Sequence, residues 1–128
     1  MKSGLFDTNV AVDLVRGKRD AFELFSAYEV PLFSAISLGE LYYGAYKSAD
    51  PSKHLQECVE IQRLVTLLPI TVNIADVYGN IKAALKSSGQ MIPENDIWIA
   101  ATAIAHDVEL VTQDKHFKRV EGITTTII

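Results

Sequence analysis

The sequence predicts a single α/β domain with a mostly parallel sheet of about five strands and helices on both faces. Short apolar segments of strand length alternate along the chain with amphipathic segments of helix length. That alternation is typical of parallel strands joined by right-handed helical crossovers. The chain has 128 residues, 48% of them hydrophobic, which is enough for one domain with one core.

The first half of the chain is predicted to hold two strands and four helices. A first strand ends at Leu5-Phe6, and a short helix stops at Gly17, because glycine suits the left-handed residue that closes a helix. Ser37-Leu38-Gly39-Glu40 matches the capping box that begins a helix, with Ser37 as the N-cap. The predicted ranges are a helix over 10–16, a helix over 20–28, a strand over 30–33, a helix from 37, and a helix over about 51–64.

The second half repeats the alternation. Residues 65–70 read as a third strand, and apolar residues at three- and four-residue steps from Asn73 predict an amphipathic helix that ends before Gly89. Residues 96–106 are apolar almost all round, so we expect that helix to be buried. Strands are predicted at 109–112 and 124–128.

Composition excludes several classes of protein. The longest apolar stretch, residues 97–105, is too short to cross a bilayer. A charge at Asp7 precedes any apolar segment of a signal peptide, so we expect a cytoplasmic protein. Cys58 is the only cysteine, which excludes an internal disulfide and a multi-cysteine zinc site. We interpret Cys58 as a small core residue.

Four acidic residues occupy related places in this predicted fold. Asp7 follows the first strand, Asp114 follows the fourth, and Glu40 and Asp96 lie in the first turns of helices. Singly, each has an ordinary explanation as a turn residue, a capping residue or an acid at a helix N-terminus. Together they are expected at the carboxyl end of one parallel sheet, where ligands bind in such folds.

Four carboxylates in one place repel one another unless some are protonated or they hold a cation. Oxygen ligands without a cysteine or histidine cluster favour Mg²⁺ or Mn²⁺, and a pair of such ions is suited to phosphodiester cleavage. The net charge is −4, from twelve basic and sixteen acidic residues. Removing the four carboxylates balances the charge, so the acidity does not exclude a nucleic-acid partner.

Four segments, in order along essentially the whole chain, resemble PIN-domain ribonucleases, and within these the chain is most similar to the VapC-type toxins of toxin–antitoxin pairs. The segments are Asp7-Thr8-Asn9, Ser34-Ala35-Ile36-Ser37-Leu38-Gly39-Glu40-Leu41, Asn95-Asp96-Ile97-Trp98-Ile99-Ala100-Ala101 and Leu110-Val111-Thr112-Gln113-Asp114-Lys115-His116-Phe117.

The resemblance implies that residues 1–128 form one PIN-like nuclease domain. It implies an endoribonuclease that depends on one or two Mg²⁺ or Mn²⁺ ions and activates water through them. The catalytic and metal-binding acids map onto Asp7, Glu40, Asp96 and Asp114, with Asn9 and Thr112 in supporting polar roles. Members of the family are commonly homodimers, held inactive by a cognate antitoxin in the groove near the metal.

Two further groups of residues attract attention. Among the basic residues, Arg16, Lys115, Lys118 and Arg119 are candidates for contacts with RNA phosphates, the last three because they follow Asp114 directly. Tyr42, Tyr43 and Tyr46 crowd one predicted helix. They either stack on bases or bury in a partner interface, and the family's use of this helix favours the interface.

The same residues bear on three other functions. A catalytically silent PIN-fold module that binds RNA or protein is the alternative, although such a module has no need of mutually repelling acids. A phosphoacceptor receiver domain needs adjacent acids after the first strand and an Asp after the third, and both are absent. A haloacid-dehalogenase-type phosphatase needs an Asp where Asn9 stands.

Overall fold

The structure is a computed structural model that describes all residues, 1–128. Five strands form one sheet in the order β3-β2-β1-β4-β5, and every neighbouring pair is parallel. The prediction of an α/β fold with a parallel sheet of about five strands is therefore confirmed. The strands are β1 (Ser3–Phe6), β2 (Val30–Ser34), β3 (Thr66–Leu68), β4 (Glu109–Thr112) and β5 (Thr125–Ile127).

Six α-helices connect and cover these strands. They are α1 (Thr8–Val15), α2 (Ala21–Ala27), α3 (Ala35–Lys47), α4 (Pro51–Leu64), α5 (Val72–Ser88) and α6 (Glu94–Ala105). A 3₁₀ helix at Lys115–Arg119, which the sequence did not predict, follows β4. No helix has both the length and the apolar composition needed to cross a membrane.

The core lies on both faces of the sheet because successive side chains of a strand point to opposite faces. Leu5 and Leu110 pack with α5 and α6 on one face, whereas Phe6 and Val111 pack with α1, α2 and α4 on the other. Cys58, on α4, is a buried free thiol, as expected of a small core residue. Helices cover both faces of the sheet. At its carboxyl edge, the strands are followed by loops and by the N-termini of helices.

Candidate active site

The central strands β1 and β4 bring two of the predicted acids to one edge of the sheet. Phe6 is paired with Val111 in parallel register, and the backbone N–H of Asp7 donates to the Val111 carbonyl at 2.9 Å. Asp7 therefore follows the last residue of β1 at the same edge of the sheet where β4 ends, at Thr112. Asp114 follows two residues later and caps the 3₁₀ helix.

The Asp7 carboxylate is held on both oxygens. Its Oδ1 accepts from the backbone N–H of Thr8 at 2.8 Å, and its Oδ2 accepts from the Thr112 hydroxyl at 2.7 Å. The same hydroxyl oxygen accepts from the backbone N–H of Asp114 at 3.0 Å. Thr112 is fully buried, so one side chain fixes the carboxylate of Asp7 and the backbone of Asp114 together.

Glu40 reaches the same region from a different place than the sequence suggested. The predicted capping box at Ser37 is wrong, because α3 begins at Ala35 and its N-cap is Ser34, whose hydroxyl accepts from the backbone N–H of Ile36 at 3.0 Å. Ser37 is buried inside the helix without a hydrogen-bond partner for its hydroxyl. Glu40 consequently lies past the first turn of α3 instead of reaching back to a cap.

A threonine that the sequence analysis did not single out connects Glu40 to Asp7. The Thr8 hydroxyl donates to Glu40 Oε1 at 2.8 Å, across 32 positions of the chain, while its backbone N–H serves Asp7. Thr8 lies inside the Asp7-Thr8-Asn9 motif, so the sequence could place it near Asp7. No signal in the sequence indicated that its hydroxyl would bond to Glu40. Asn9, predicted to support the acids, is exposed on α1 and takes no part in this network.

Asp96 shows that the four acids share one electrostatic environment. It lies in the first turn of α6, as predicted. Its pKa is raised from 3.8 to about 6, first by burial and then by the negative charges of Asp7, Glu40 and Asp114, against a smaller opposing effect of His116. Burial also raises the pKa of Asp7, opposed by its hydrogen bonds from Thr112 and Thr8. An approaching cation would relieve this repulsion.

Asp114 is oriented by the residue two positions further on. Its Oδ1 accepts from both the backbone N–H and the ring Nδ1 of His116, each at 2.8 Å. The His116 side chain is two-thirds exposed, at 66%. The second carboxylate oxygen of Asp114 has no such partner, so it remains free for a ligand. His116 therefore acts on the site through Asp114.

The donor set suits a hard divalent cation, since it consists of carboxylate oxygens supported by threonine hydroxyls. No three His, Cys, Asp or Glu side chains lie close enough together in this structure to share one ion. The charges of the four acids thus affect one another although their side chains do not meet at one point. To bind one ion together, these side chains would have to move closer to each other. The raised pKa of Asp96 reflects uncompensated negative charge at this edge, which a divalent cation would neutralise.

The four basic residues proposed to contact RNA fall into two groups. Arg16 is held by Glu57, which accepts from its Nε at 2.8 Å and from a terminal nitrogen at 3.0 Å. Arg119 donates to the Met91 carbonyl. Lys115 and Lys118 are exposed beside Asp114 and form no ion pair. These two lysines donate to no other group of the protein and are free to meet phosphates, whereas Arg119, also without an ion pair, uses one guanidinium nitrogen in its bond to Met91.

A cavity of about 240 Å³ opens beside Glu40, between α1, α3 and α4. Its wall is largely apolar, and Arg16, His54 and Glu57 stand with Glu40 among the polar residues that line it. Hydrogen bonds from Arg16 and then from His54 hold the pKa of Glu57 down at about 2, against the effect of burial. The cavity offers an apolar side chain a place directly next to one of the acids.

Comparison with known proteins agrees with this fold. The family model of the PIN domain matches residues 5–123, so the class of protein is the PIN domain. The ribonuclease VapC2 of Haemophilus influenzae is 34% identical over 126 residues, covering 94% of each chain. The tRNA(fMet)-specific endonuclease VapC of Shigella flexneri is 29% identical with the same coverage. The chain belongs to the VapC family of PIN-domain ribonucleases.

A solved structure is similar over almost its whole length. The crystal structure of VapBC2 from Rickettsia felis, bound to a DNA fragment from its promoter, contains a chain with a TM-score of 0.87 and 26% identity. The match covers 97% of both chains. The predicted family and fold are therefore confirmed together.

Proposed function

We propose that this protein is the endoribonuclease toxin of a toxin–antitoxin pair, and that it cleaves RNA phosphodiester bonds with water activated by Mg²⁺ or Mn²⁺. The observation that carries the proposal is the coupling of four acids from distant segments at one sheet edge, expressed in the raised pKa of Asp96. Curated relatives with the same fold are named ribonucleases.

The metal would be held by Asp7, Glu40, Asp96 and Asp114. Ribonucleases of this family generally use divalent metal ions. When bound, one or two Mg²⁺ or Mn²⁺ ions would polarise the phosphodiester and activate water for attack. Carboxylates without cysteine or histidine ligands favour these hard ions over Zn²⁺.

The remaining side chains prepare the acids and the substrate. Thr112 and Thr8 fix the carboxylates of Asp7 and Glu40, which reduces the reorganisation needed when an ion arrives. His116 saturates one oxygen of Asp114 and leaves the other for a ligand. The exposed Lys115 and Lys118 would neutralise phosphates of an RNA strand without reading its sequence.

The partner of such a toxin would be a cognate antitoxin. The similar Rickettsia felis chain is part of a VapBC2 complex. The cavity beside Glu40 would accept an apolar side chain of an antitoxin while its polar residues meet charged groups. We also propose that the protein is a homodimer, which size-exclusion chromatography with light scattering would test.

The central experiment is RNA cleavage by the purified full chain, with and without Mg²⁺ or Mn²⁺. Transfer RNA is a suitable first substrate because the Shigella flexneri relative is named for cleaving it. We expect metal-dependent cleavage by the wild type and loss of at least about 100-fold in Asp96→Asn, since a lost ligand removes transition-state stabilisation. Glu94→Gln is the matched control, because Glu94 shares the first turn of α6 but pairs with Lys82.

A binding module without catalysis is the second candidate, favoured by the absence of three convergent ligands. Calorimetric titration with Mn²⁺ separates the two functions. Binding that Asp96→Asn weakens supports the nuclease. A wild type that neither binds Mn²⁺ nor cleaves RNA, but binds RNA or an antitoxin, would establish the module instead.

A further inference from the structure

A groove separate from the cavity between α1, α3 and α4 starts at Glu40 and runs along the exposed side of α3. It is an open groove of about 580 Å³, and its lining includes Glu40, Tyr43, Lys47 and Asn95. Asn95 directly precedes Asp96. The groove therefore includes one candidate metal-binding acid, Glu40, and the residue next to another, and it is more open than the cavity beside Arg16.

The three tyrosines of α3 have different surroundings. Tyr42 accepts a hydrogen bond from Gln62 at 2.9 Å and stacks with Tyr46, with ring centroids 6.4 Å apart and planes 23° apart. Tyr43 lines the groove and is 67% exposed, and the Lys47 ammonium lies 4.9 Å from its ring centroid. Only Tyr43 thus presents an aromatic face, with a cation beside it, in the groove that reaches Glu40.

The wall between these residues is unusually bare. Gly39 and Gly44 also line the groove, and a Cβ added at either position would meet no atom within 4 Å. Packing therefore does not demand glycine there, although glycine inside a helix weakens it relative to alanine. Bare backbone lets a flat or charged ligand lie close against the helix.

We propose that this groove is a nucleotide subsite for single-stranded RNA, in which a base stacks on Tyr43 and Lys47 neutralises the adjoining phosphate. The inference rests on the proposed ribonuclease function, because it places this nucleotide next to the phosphate that the acids would cleave. An exposed aromatic ring combined with a cation is how proteins bind single strands with little sequence preference.

Charge and continuity favour RNA over a protein partner at this groove. The groove shares Glu40 with the candidate metal site, so a strand held at that site passes directly into it. Lys47 carries a positive charge and forms no salt bridge, which suits a phosphate. The Asn95 amide adds a donor and an acceptor for a base edge or a ribose hydroxyl.

The test measures RNA binding separately from cleavage. A fluorescein-labelled single-stranded RNA of about ten nucleotides is titrated with the full chain in EDTA, and fluorescence anisotropy gives the Kd. Tyr43→Ala is expected to raise the Kd about 10-fold, and Tyr43→Phe by no more than about twofold, because stacking needs the ring and not the hydroxyl. Lys47→Gln is expected to raise it about threefold and to lower the salt dependence by about one phosphate contact.

Tyr46→Ala is the matched control. Tyr46 is 68% exposed on the same helix, almost the same as Tyr43, but does not line the groove. We expect the Kd of the Tyr46→Ala variant for the labelled RNA to equal that of the wild type. Light scattering on each variant reports whether the oligomeric state has changed.

Several outcomes would overturn the subsite. Equal Kd values for Tyr43→Ala and Tyr46→Ala would do so while leaving the ribonuclease function standing if the wild type still cleaves RNA. A loss as large in Tyr43→Phe as in Tyr43→Ala would exclude stacking. A smaller oligomer in Tyr43→Ala would assign the ring to a protein interface. Weakened binding in Tyr43→Ala by a chain that never cleaves RNA would instead support the subsite and overturn the ribonuclease function.

Discussion

Neutralising Asp96 should stabilise the metal-free protein while weakening its response to metal. At neutral pH the ionised Asp96 is repelled by three other carboxylates, and burial adds to the cost of its charge. Its side chain makes no hydrogen bond that Asp96→Asn would remove, since it does not cap α6. The substitution therefore removes the repulsion and keeps the shape.

The size of the effect follows from the pKa of Asp96, which is about 6 in the folded protein and 3.8 when unperturbed. About two pH units correspond to about 3 kcal/mol, and partial exposure of the group reduces this to about 1–2 kcal/mol. The folded state holds this proton more tightly than the unfolded state. The contribution of Asp96 to the free energy of unfolding should therefore be greatest below about pH 4, fall as the pH rises through about 6, and stay reduced above it.

Urea denaturation followed by Trp98 fluorescence measures this directly, at about pH 4 and about pH 7.5 in EDTA. We expect Asp96→Asn to match the wild type at the lower pH and to exceed it by about 1–2 kcal/mol at the higher. The Asp96→Asn variant should still lose some stability as the pH rises, because the pKa of Asp7 is also raised. With excess Mn²⁺ the wild type should gain more stability than the variant, since it binds the ion more tightly.

Glu94→Gln controls for the loss of any acid from the first turn of α6. It removes an exposed ion pair with Lys82, so we expect a change of at most about 1 kcal/mol, in the destabilising direction. The reasoning is refuted if Asp96→Asn is no more stable than the wild type at about pH 7.5, or if the two proteins lose stability equally between the two pH values.

Four further substitutions test individual features of the fold by urea denaturation. Thr112→Val removes two hydrogen bonds of a buried side chain and should cost about 1–3 kcal/mol. Thr102→Val should cost less, because that hydroxyl only bonds back to its own helix. Glu57→Gln should lose about 1 kcal/mol near neutral pH. Because the pKa of Glu57 is about 2, below its usual 4.5, this loss should vanish as the pH falls from 4.5 towards 2. Gly4→Ala should destabilise by about 1–3 kcal/mol, since its Cβ would lie 2.6 Å from the buried Tyr28 ring.

The helix boundaries show where local signals were sufficient. The Pro51 start of α4 and the stop of α5 before Gly89 were predicted correctly, because proline at a first turn and glycine in the left-handed conformation act within a few residues. The start of α3 was predicted incorrectly. Ser34 and Ser37 are both possible caps, and pairing of Ser34 with Leu68 in the sheet decides where β2 ends and the helix begins.

The sequence by itself determined the order of the elements and the sheet edge to which the acids belong, because hydrophobic periodicity and parallel connections act along the chain. Only the tertiary structure decided that Thr8 meets Glu40, that Arg16 is held by Glu57, and that Tyr43 alone of three tyrosines lines a groove. These contacts join segments that are distant in the chain or depend on how a helix is rotated about its axis. Both are set by the packing of helices on the sheet, which no local pattern specifies.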